Sequence, residues 1–327
     1  MRTASVFFLF GSLALVEACA TPSASEGSPS TDDTESALIA ADRDNQHTFA
    51  VGVCGAPIGP TGYCTSPGAE GRRCTGTLIA PNLVLTARHC VQDPKFVAAD
   101  FCANTWQAPP SPPSGVWVTL APSTIAGPRP TWRGVSKVIL PPGTNNCDDD
   151  LALLQLAANI PAVRATPVPP APRGTIGVAP QLIDLVGRGG IDETLDLSTF
   201  DDTVVRAGLY RRVLRGIPAV CISKQGVTCT TVDYSSDPPS FTLTRGLDLY
   251  GPATAPGDSG AGVLVHLDDP ARRQVLGVMT LGTYDAHGKS NSSIAVDLGP
   301  HMTWLQSAAQ DAAHEGGYAP PGWSYAL

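Results

Sequence analysis

The stretch Thr75-Gly76-Thr77-Leu78-Ile79-Ala80-Pro81-Asn82-Leu83-Val84-Leu85-Thr86-Ala87-Arg88-His89-Cys90 reads as two apolar strands joined by a Pro-Asn turn. Apolar and β-branched residues fill both arms, and the pair between them supplies turn chemistry. The second arm delivers a histidine to a strand end, with cysteines at 74 and 90 flanking the hairpin. A disulfide between those cysteines would pin the loop that carries the histidine. Any one of six histidines is more often a surface or core residue than a base; His89 is singled out by the string around it.

Two further segments have comparable definition. In Asp148-Asp149-Asp150-Leu151-Ala152-Leu153-Leu154 an acidic turn opens an apolar strand, and Asp150, abutting the apolar run, is best placed for burial. A calcium loop is the rival reading, but neither a glycine nor a second carboxylate set stands at the required spacing. In Gly257-Asp258-Ser259-Gly260-Ala261-Gly262, followed by Val263–Val265, glycines on both sides allow a sharp turn and close backbone approach to a ligand. Such a turn can bring the N–H groups of Gly257 and Ser259 into one small space, an arrangement suited to a developing oxyanion.

Away from these segments, β-prone runs alternate with Gly, Pro, Asn and Asp clusters. Candidate strands are Phe49–Val53, Thr75–Ile79, Leu83–Thr86, Val116–Leu120, Leu151–Leu156, Leu182–Val186, Gly262–Leu267, Val275–Thr280 and Ser293–Val296. Strands spaced in this way indicate an all-β sandwich or barrel rather than βαβ units. Met302 to about His314 suits a short C-terminal helix with Trp304 and Leu305 inward, and Gly316–Leu327 reads as a loose tail. The Pro-dense stretches 109–113 and 167–172 read as surface loops.

With 15% charged residues, 33 Gly and 31 Pro in 327 residues, the composition favours many short strands and turns over long helices. The net charge of −8 lacks the basic footprint that nucleic acid or an anionic membrane requires. Arg2 and the apolar stretch from Val6 to Val16 form a secretory signal over residues 1–20. Ala18-Cys19-Ala20 suits signal-peptidase cleavage, whereas Leu15-Val16-Glu17-Ala18-Cys19 resembles a lipobox, with the signal ending at 18 and a lipid on Cys19. Residues 21–37 read as a disordered tether or propeptide, 38–310 as the folded domain and 311–327 as a tail. The expected location is exported: secreted, periplasmic or lipid-anchored to the cell envelope.

Setting Cys19 aside, eight cysteines remain: Cys54, Cys64, Cys74, Cys90, Cys102, Cys147, Cys221 and Cys229. An even number in an oxidising compartment suggests four disulfides, and eight cysteines allow 105 pairings. Without a close Cys-x-x-Cys pair, no metal site is expected, nor any cofactor. His47, His266, His287, His301 and His314 read as structural or surface residues.

Together the three segments resemble the trypsin/chymotrypsin family of serine peptidases, in that family's His, Asp, Ser order, as a bacterial-like exported member. The resemblance implies two six-stranded antiparallel β-barrels with a short C-terminal helix. It implies a triad of His89 and Asp150 from the first barrel with Ser259 from the second, and an oxyanion hole formed by Gly257 and Ser259. It pairs Cys74 with Cys90, and it matches Thr280 to the residue whose hydroxyl supports the aspartate on a strand that pairs with substrate. Cysteine is missing from the few residues before Gly257, and Cys221–Cys229 is the expected substitute staple. Ala253 falls at the base of the primary pocket, with Gly282 and Ser293 lining it. Lacking a carboxylate there, the pocket implies small or apolar P1 residues.

Asp258 matches the aspartate that pairs with the ammonium freed on activation, and cleavage after Ala37 or Leu38 would free such a terminus from Leu38-Ile39-Ala40-Ala41. Arg88 departs from the small residue usual before the histidine and must reach solvent or pair with Asp148 or Asp149. The implied partners are protein or peptide substrates, with a monomeric chain. Arg88 and the altered activation sequence also motivate a second reading, a catalytically weak homologue that acts as a binding protein. A third, an α/β-hydrolase esterase, is disfavoured by Ala261 at the last position of the Gly-x-Ser-x-Gly elbow and by the triad order.

Overall fold

The computed structural model describes residues 43–65, 72–95, 102, 105–107, 109–125, 127–172, 181–189, 210–222, 229–232, 240–243, 246–250, 257–284 and 290–325. The signal, the tether and the Leu38–Ala41 segment lie outside them, as do Cys19, Ala253 and His287. Among the described residues no helix is long and apolar enough to cross a membrane.

In chain order the first half contains β1 (Ala50–Cys54), β2 (Arg73–Ala80), β3 (Leu83–Thr86), β4 (Pro94–Lys95), β5 (Thr105–Trp106), β6 (Trp117–Thr119), β7 (Trp132–Ile139) and β8 (Ala152–Leu156). The second half contains β9 (Gln181–Gly187), β10 (Arg212–Ile222), β11 (Cys229–Val232), β12 (Ser240–Leu243), β13 (Gly246–Tyr250), β14 (Gly262–Val265), β15 (Gln274–Tyr284) and β16 (Ser290–Asp297), followed by helix α1 (Met302–Gly316). Six strands close into a first barrel in the order β1-β2-β3-β8-β7-β6. Six more close into a second, β10-β13-β16-β15-β14-β9, while β4-β5 and β11-β12 form two-stranded ribbons. Closure leaves no unpaired edge on either sheet.

The apolar hairpin read from the sequence is β2 and β3, turned at Pro81-Asn82 and buried along its whole length. It pairs onward with β8 in a register that sets Thr86 opposite Ala152. His89 lies three residues beyond Thr86 and Asp150 two before Ala152, so the pairing brings both to the same end of adjacent strands.

Several elements differ from expectation. The run expected at Val116–Leu120 is shorter, and β4, β5, β7, β10, β11, β12 and β13 were not anticipated. β7 reads Trp-Arg-Gly-Val-Ser-Lys-Val-Ile and is largely half-exposed, so its apolar pattern is broken. β10 contains Gly216, which falls in a register shift between Leu214 and Ile217, and Pro218, which stands in register opposite Leu182. The helix runs on to Gly316, burying Met302, Leu305, Ala308, Ala309, Ala312 and Ala313. Trp304 is only half-buried against the core.

The C-terminal segment is docked rather than loose, at least as far as Tyr325. Tyr318 donates its hydroxyl to Asn82 Oδ1 at 2.6 Å, and Gln310 Nε2 donates to the Ser324 carbonyl at 2.8 Å. Asn82 in turn gives its Nδ2–H to the Ala312 carbonyl at 3.0 Å. Its composition suggested a free tail because the anchoring atoms belong to residues far away in sequence.

Candidate active site

His89 sits in a short 3₁₀ turn, Arg88–Cys90, immediately after β3. The turn is tied down by the Cys74–Cys90 disulfide, with S–S 2.05 Å. The sulfurs beside the imidazole are bonded to each other, so they are not thiolate ligands for a metal.

Asp150, 4% exposed, grips His89 twice. Its Oδ1 accepts the His89 backbone N–H at 2.8 Å, and its Oδ2 lies 2.7 Å from His89 Nδ1. An ionised carboxylate is acceptor-only, so Nδ1 carries the proton and Nε2 of the neutral ring is left as the basic nitrogen. Burial alone would lower the imidazole's proton affinity, but the charge of Asp150 and its hydrogen bond outweigh this, and the net shift is upward.

The segment around Ser259 comes from the second barrel, just before β14, and the first barrel holds it. Thr75 donates its backbone N–H to the Ser259 carbonyl at 2.8 Å and its hydroxyl to the Gly257 carbonyl at 2.8 Å. The Cys90 sulfur lies 3.9 Å from the Ser259 carbonyl oxygen, a packing contact because a disulfide sulfur has no proton to donate. The serine turn therefore rests on the His89 turn. Gly260 N–H donates to the Met279 carbonyl at 2.7 Å, fixing the turn from its own barrel as well.

Gly260 has to be glycine. Its φ is +85°, and a Cβ there would fall 2.1 Å from the Thr75 carbonyl oxygen and 2.2 Å from Thr86 Oγ1. Among the described residues, the N–H groups of Gly257 and Ser259 donate to no protein acceptor.

The neighbouring positions fall as follows. Asp258 is 1% exposed and accepts the Gly189 N–H at 2.6 Å on Oδ1. Thr280 donates its hydroxyl to the Ile294 carbonyl at 3.2 Å. A hydroxyl has one proton, so Thr280 does not support Asp150 as the resemblance implied; the His89 backbone N–H occupies Oδ1 of that carboxylate instead. Gly282 lies opposite the buried Ser293 in the β15–β16 register. Cys221 is disulfide-bonded, and Cys229 opens β11.

Arg88 neither reaches solvent nor makes a short ion pair with Asp148 or Asp149 among the described residues. It is buried, stacked 4.7 Å above the centroid of Trp106, with Nε donating to Gln92 Oε1 at 2.7 Å and an Nη donating to the Gly143 carbonyl at 2.8 Å. Burial weakens its hold on a proton, and the charges of Asp150 and Asp149 oppose that.

Three contributors were not legible beforehand. Thr75 bonds residues that follow it by more than 180 positions. The Cys102–Cys147 disulfide ties the stretch after His89 to the one before Asp150, and packs with Ile294, Leu281 and Cys221. His301, read as structural or surface, is buried, and its Nε2 lies 2.9 Å from the Asp148 carbonyl oxygen, two residues from Asp150. Cys54 pairs with Cys64.

A family model described as Trypsin matches residues 61–305. No curated protein matches the chain. The matched span includes both barrels from β2 onward and all three segments that bear His89, Asp150 and Ser259. On that match, which takes in well over half of the sequence, the chain belongs to the trypsin family of serine proteases.

Proposed function

We propose that this protein is an exported serine endopeptidase that hydrolyses peptide bonds through His89, Asp150 and Ser259. The observation that carries the reading is the double grip of Asp150 on His89, which fixes both the orientation and the tautomer of the ring. Ser259 attacks the scissile carbonyl while His89 Nε2 takes the hydroxyl proton and later returns it to the leaving amine. Asp150 offsets the imidazolium charge. The N–H groups of Gly257 and Ser259 receive the oxyanion of the tetrahedral intermediate, each donor supplying about 3 kcal/mol. Water then hydrolyses the acyl-enzyme through the same base.

Substrate backbone pairs along β15 near Thr280–Gly282, a form of strand addition. The resemblance assigns the pocket base to Ala253, which lies outside the described residues, and Gly282 faces Ser293 across the strands; on that basis the pocket takes small or apolar P1 side chains. Activation follows cleavage after Ala37 or Leu38, whose new ammonium pairs with Asp258. The N-terminal signal directs export, to a secreted or periplasmic form or to one anchored through lipid on Cys19; cleavage after Ala37 or Leu38 severs that anchor from the folded domain. Disulfides in the folded domain are compatible with an oxidising location.

Fluorophosphonate labelling of the processed protein, with Ser259→Ala as control, tests the chemistry. Labelling confined to the wild type is expected; an unlabelled wild type leaves the binding-protein reading. A peptide library scores P1, and fast selective cleavage after Arg or Lys would overturn the pocket assignment. Mass spectrometry of the exported protein reports its N-terminus and any lipid on Cys19.

A further inference from the structure

Arg188 occupies a position where a cation is expensive. It follows β9, is 1% exposed, and ranks among the largest fully buried side chains. One Nη donates to the Ala50 carbonyl at 3.1 Å, but among the described residues Nε and the other Nη have no hydrogen-bond partner. Its neighbour is a second buried cation: Arg211 donates to the same Ala50 carbonyl at 3.2 Å. Asp44, the carboxylate that faces this pair of cations, is already bonded to Arg211 Nε at 3.1 Å and to His47 Nδ1 at 3.0 Å. Burial and Arg211 both weaken the Arg188 proton affinity, and Asp44 only partly restores it. An apolar chain of similar length would suit this interior better. Residues that work against the fold in this way concentrate where function requires them.

The backbone on either side of Arg188 adds a further support to the serine turn, through Asp258. Gly189 gives its N–H to Asp258 Oδ1 at 2.6 Å. Gly187 lies so close to the same carboxylate that a Cβ there would fall 2.1 Å from Oδ1. Gly187 and Gly189 thus form a cradle for Asp258, and Ser259 is the next residue. The side chain between them reaches into the first barrel, where it donates to the Ala50 carbonyl two residues before Gly52.

From this we infer that Arg188 is a positioning residue: by anchoring on Ala50 in the first barrel it fixes the Gly187–Gly189 cradle, and through Asp258 it sets the Ser259 turn. Its catalytic consequence rests on the reading of Ser259 as the nucleophile; its effect on the loop does not.

Arg188→Met keeps the length and removes the charge and the donors. In the processed full chain, the melting temperature should stay level or rise. Hydrogen exchange should nevertheless quicken at the Gly260 and Thr75 amides, which close on Met279 and Ser259, while the β3 and β8 amides stay unchanged. kcat should fall by about 10- to 100-fold with KM little altered, and Arg188→Lys, which can still reach Ala50, should restore part of it. Wild-type exchange at Gly260 and Thr75 in the Met variant would overturn the inference, as would a parallel fall in stability and kcat with no recovery in Lys. Quickened exchange in a protein whose wild type is inert would sink the peptidase reading and leave the positioning role standing.

Discussion

Thr75 gives its backbone N–H to the carbonyl of Ser259 and its hydroxyl to the carbonyl of Gly257, so one residue of the first barrel bonds the serine turn of the second on both sides of Asp258. Thr75→Val keeps the shape and β propensity but deletes the hydroxyl. The buried Gly257 carbonyl then loses its donor, at about 1–3 kcal/mol. Denaturant titration should register that loss, and kcat should fall more than KM rises. Unchanged stability and turnover would mean the hydroxyl contact contributes nothing.

The raised proton affinity of His89 has opposite consequences for stability and for activity. A folded-state pKa above the unfolded value, about 6.5, means the protonated His89–Asp150 pair adds stability that is fully present below pH 6.5. That contribution is lost as pH rises through the folded value. Catalysis needs the neutral ring, so the acid limb of kcat/KM should lie above 6.5. Asp150→Asn should move the His89 titration, followed by NMR, downward and cut kcat by roughly 10³- to 10⁴-fold. An acid limb below 6.5 in the wild type would contradict this.

Cys102 and Cys147 close a span of 45 residues that contains neither His89 nor Asp150 but lies between them and ends just before Asp150. Replacing both by Ala should cost about 2–4 kcal/mol. Differential scanning calorimetry should show a lower Tm, and activity loss should exceed the unfolded fraction because the Asp150 approach is freed. Wild-type specific activity below the transition would show that the bridge stabilises without positioning.

Asp44 carries the charge that makes Arg211 tolerable in the interior. Burial pushes its carboxyl up, but His47, the Gln46 N–H and Arg211 prevail and hold it down at about 2, below its ordinary 3.8. A depressed value gives stability that is present above about pH 4 and lost as pH falls toward 2. Asp44→Asn should destabilise the protein by about 3–5 kcal/mol at neutral pH, because two buried guanidinium groups lose their carboxylate. Urea titrations of both forms at pH 7 and pH 3 test this, with the gap narrowing at the lower pH. A neutral Asn variant would show that the cluster is balanced by other groups.

His89, Asp150 and Ser259 were legible because each stands in a local string whose glycines, turn residues and apolar runs report on backbone shape. β3 and β8 were legible for the same reason: they are buried on both faces, so apart from Thr86 and Gln155 their residues are apolar. β10 was not, since Gly216 and Pro218 normally mark a break; the bulge against β9 takes up Gly216, while Pro218 stays in the ladder opposite Leu182. Thr75 and Arg188 stayed hidden for a different reason. A threonine in a strand and an arginine between glycines look like ordinary strand and loop residues, and their roles depend on partners from the opposite barrel. Thr280 shows the converse hazard, in that matching a position does not determine where a hydroxyl points.

The docking of Tyr318 and Ala312 onto Asn82 has a bearing on the order of assembly. The turn that delivers His89 contains a side chain, 3% exposed, whose polar atoms find partners only near the chain's end. A polypeptide made from its N-terminus therefore leaves the Asn82 side chain without these partners until residues 312–318 have been added. Full satisfaction of the hairpin that precedes His89 is thereby coupled to the docking of α1 and the residues that follow it.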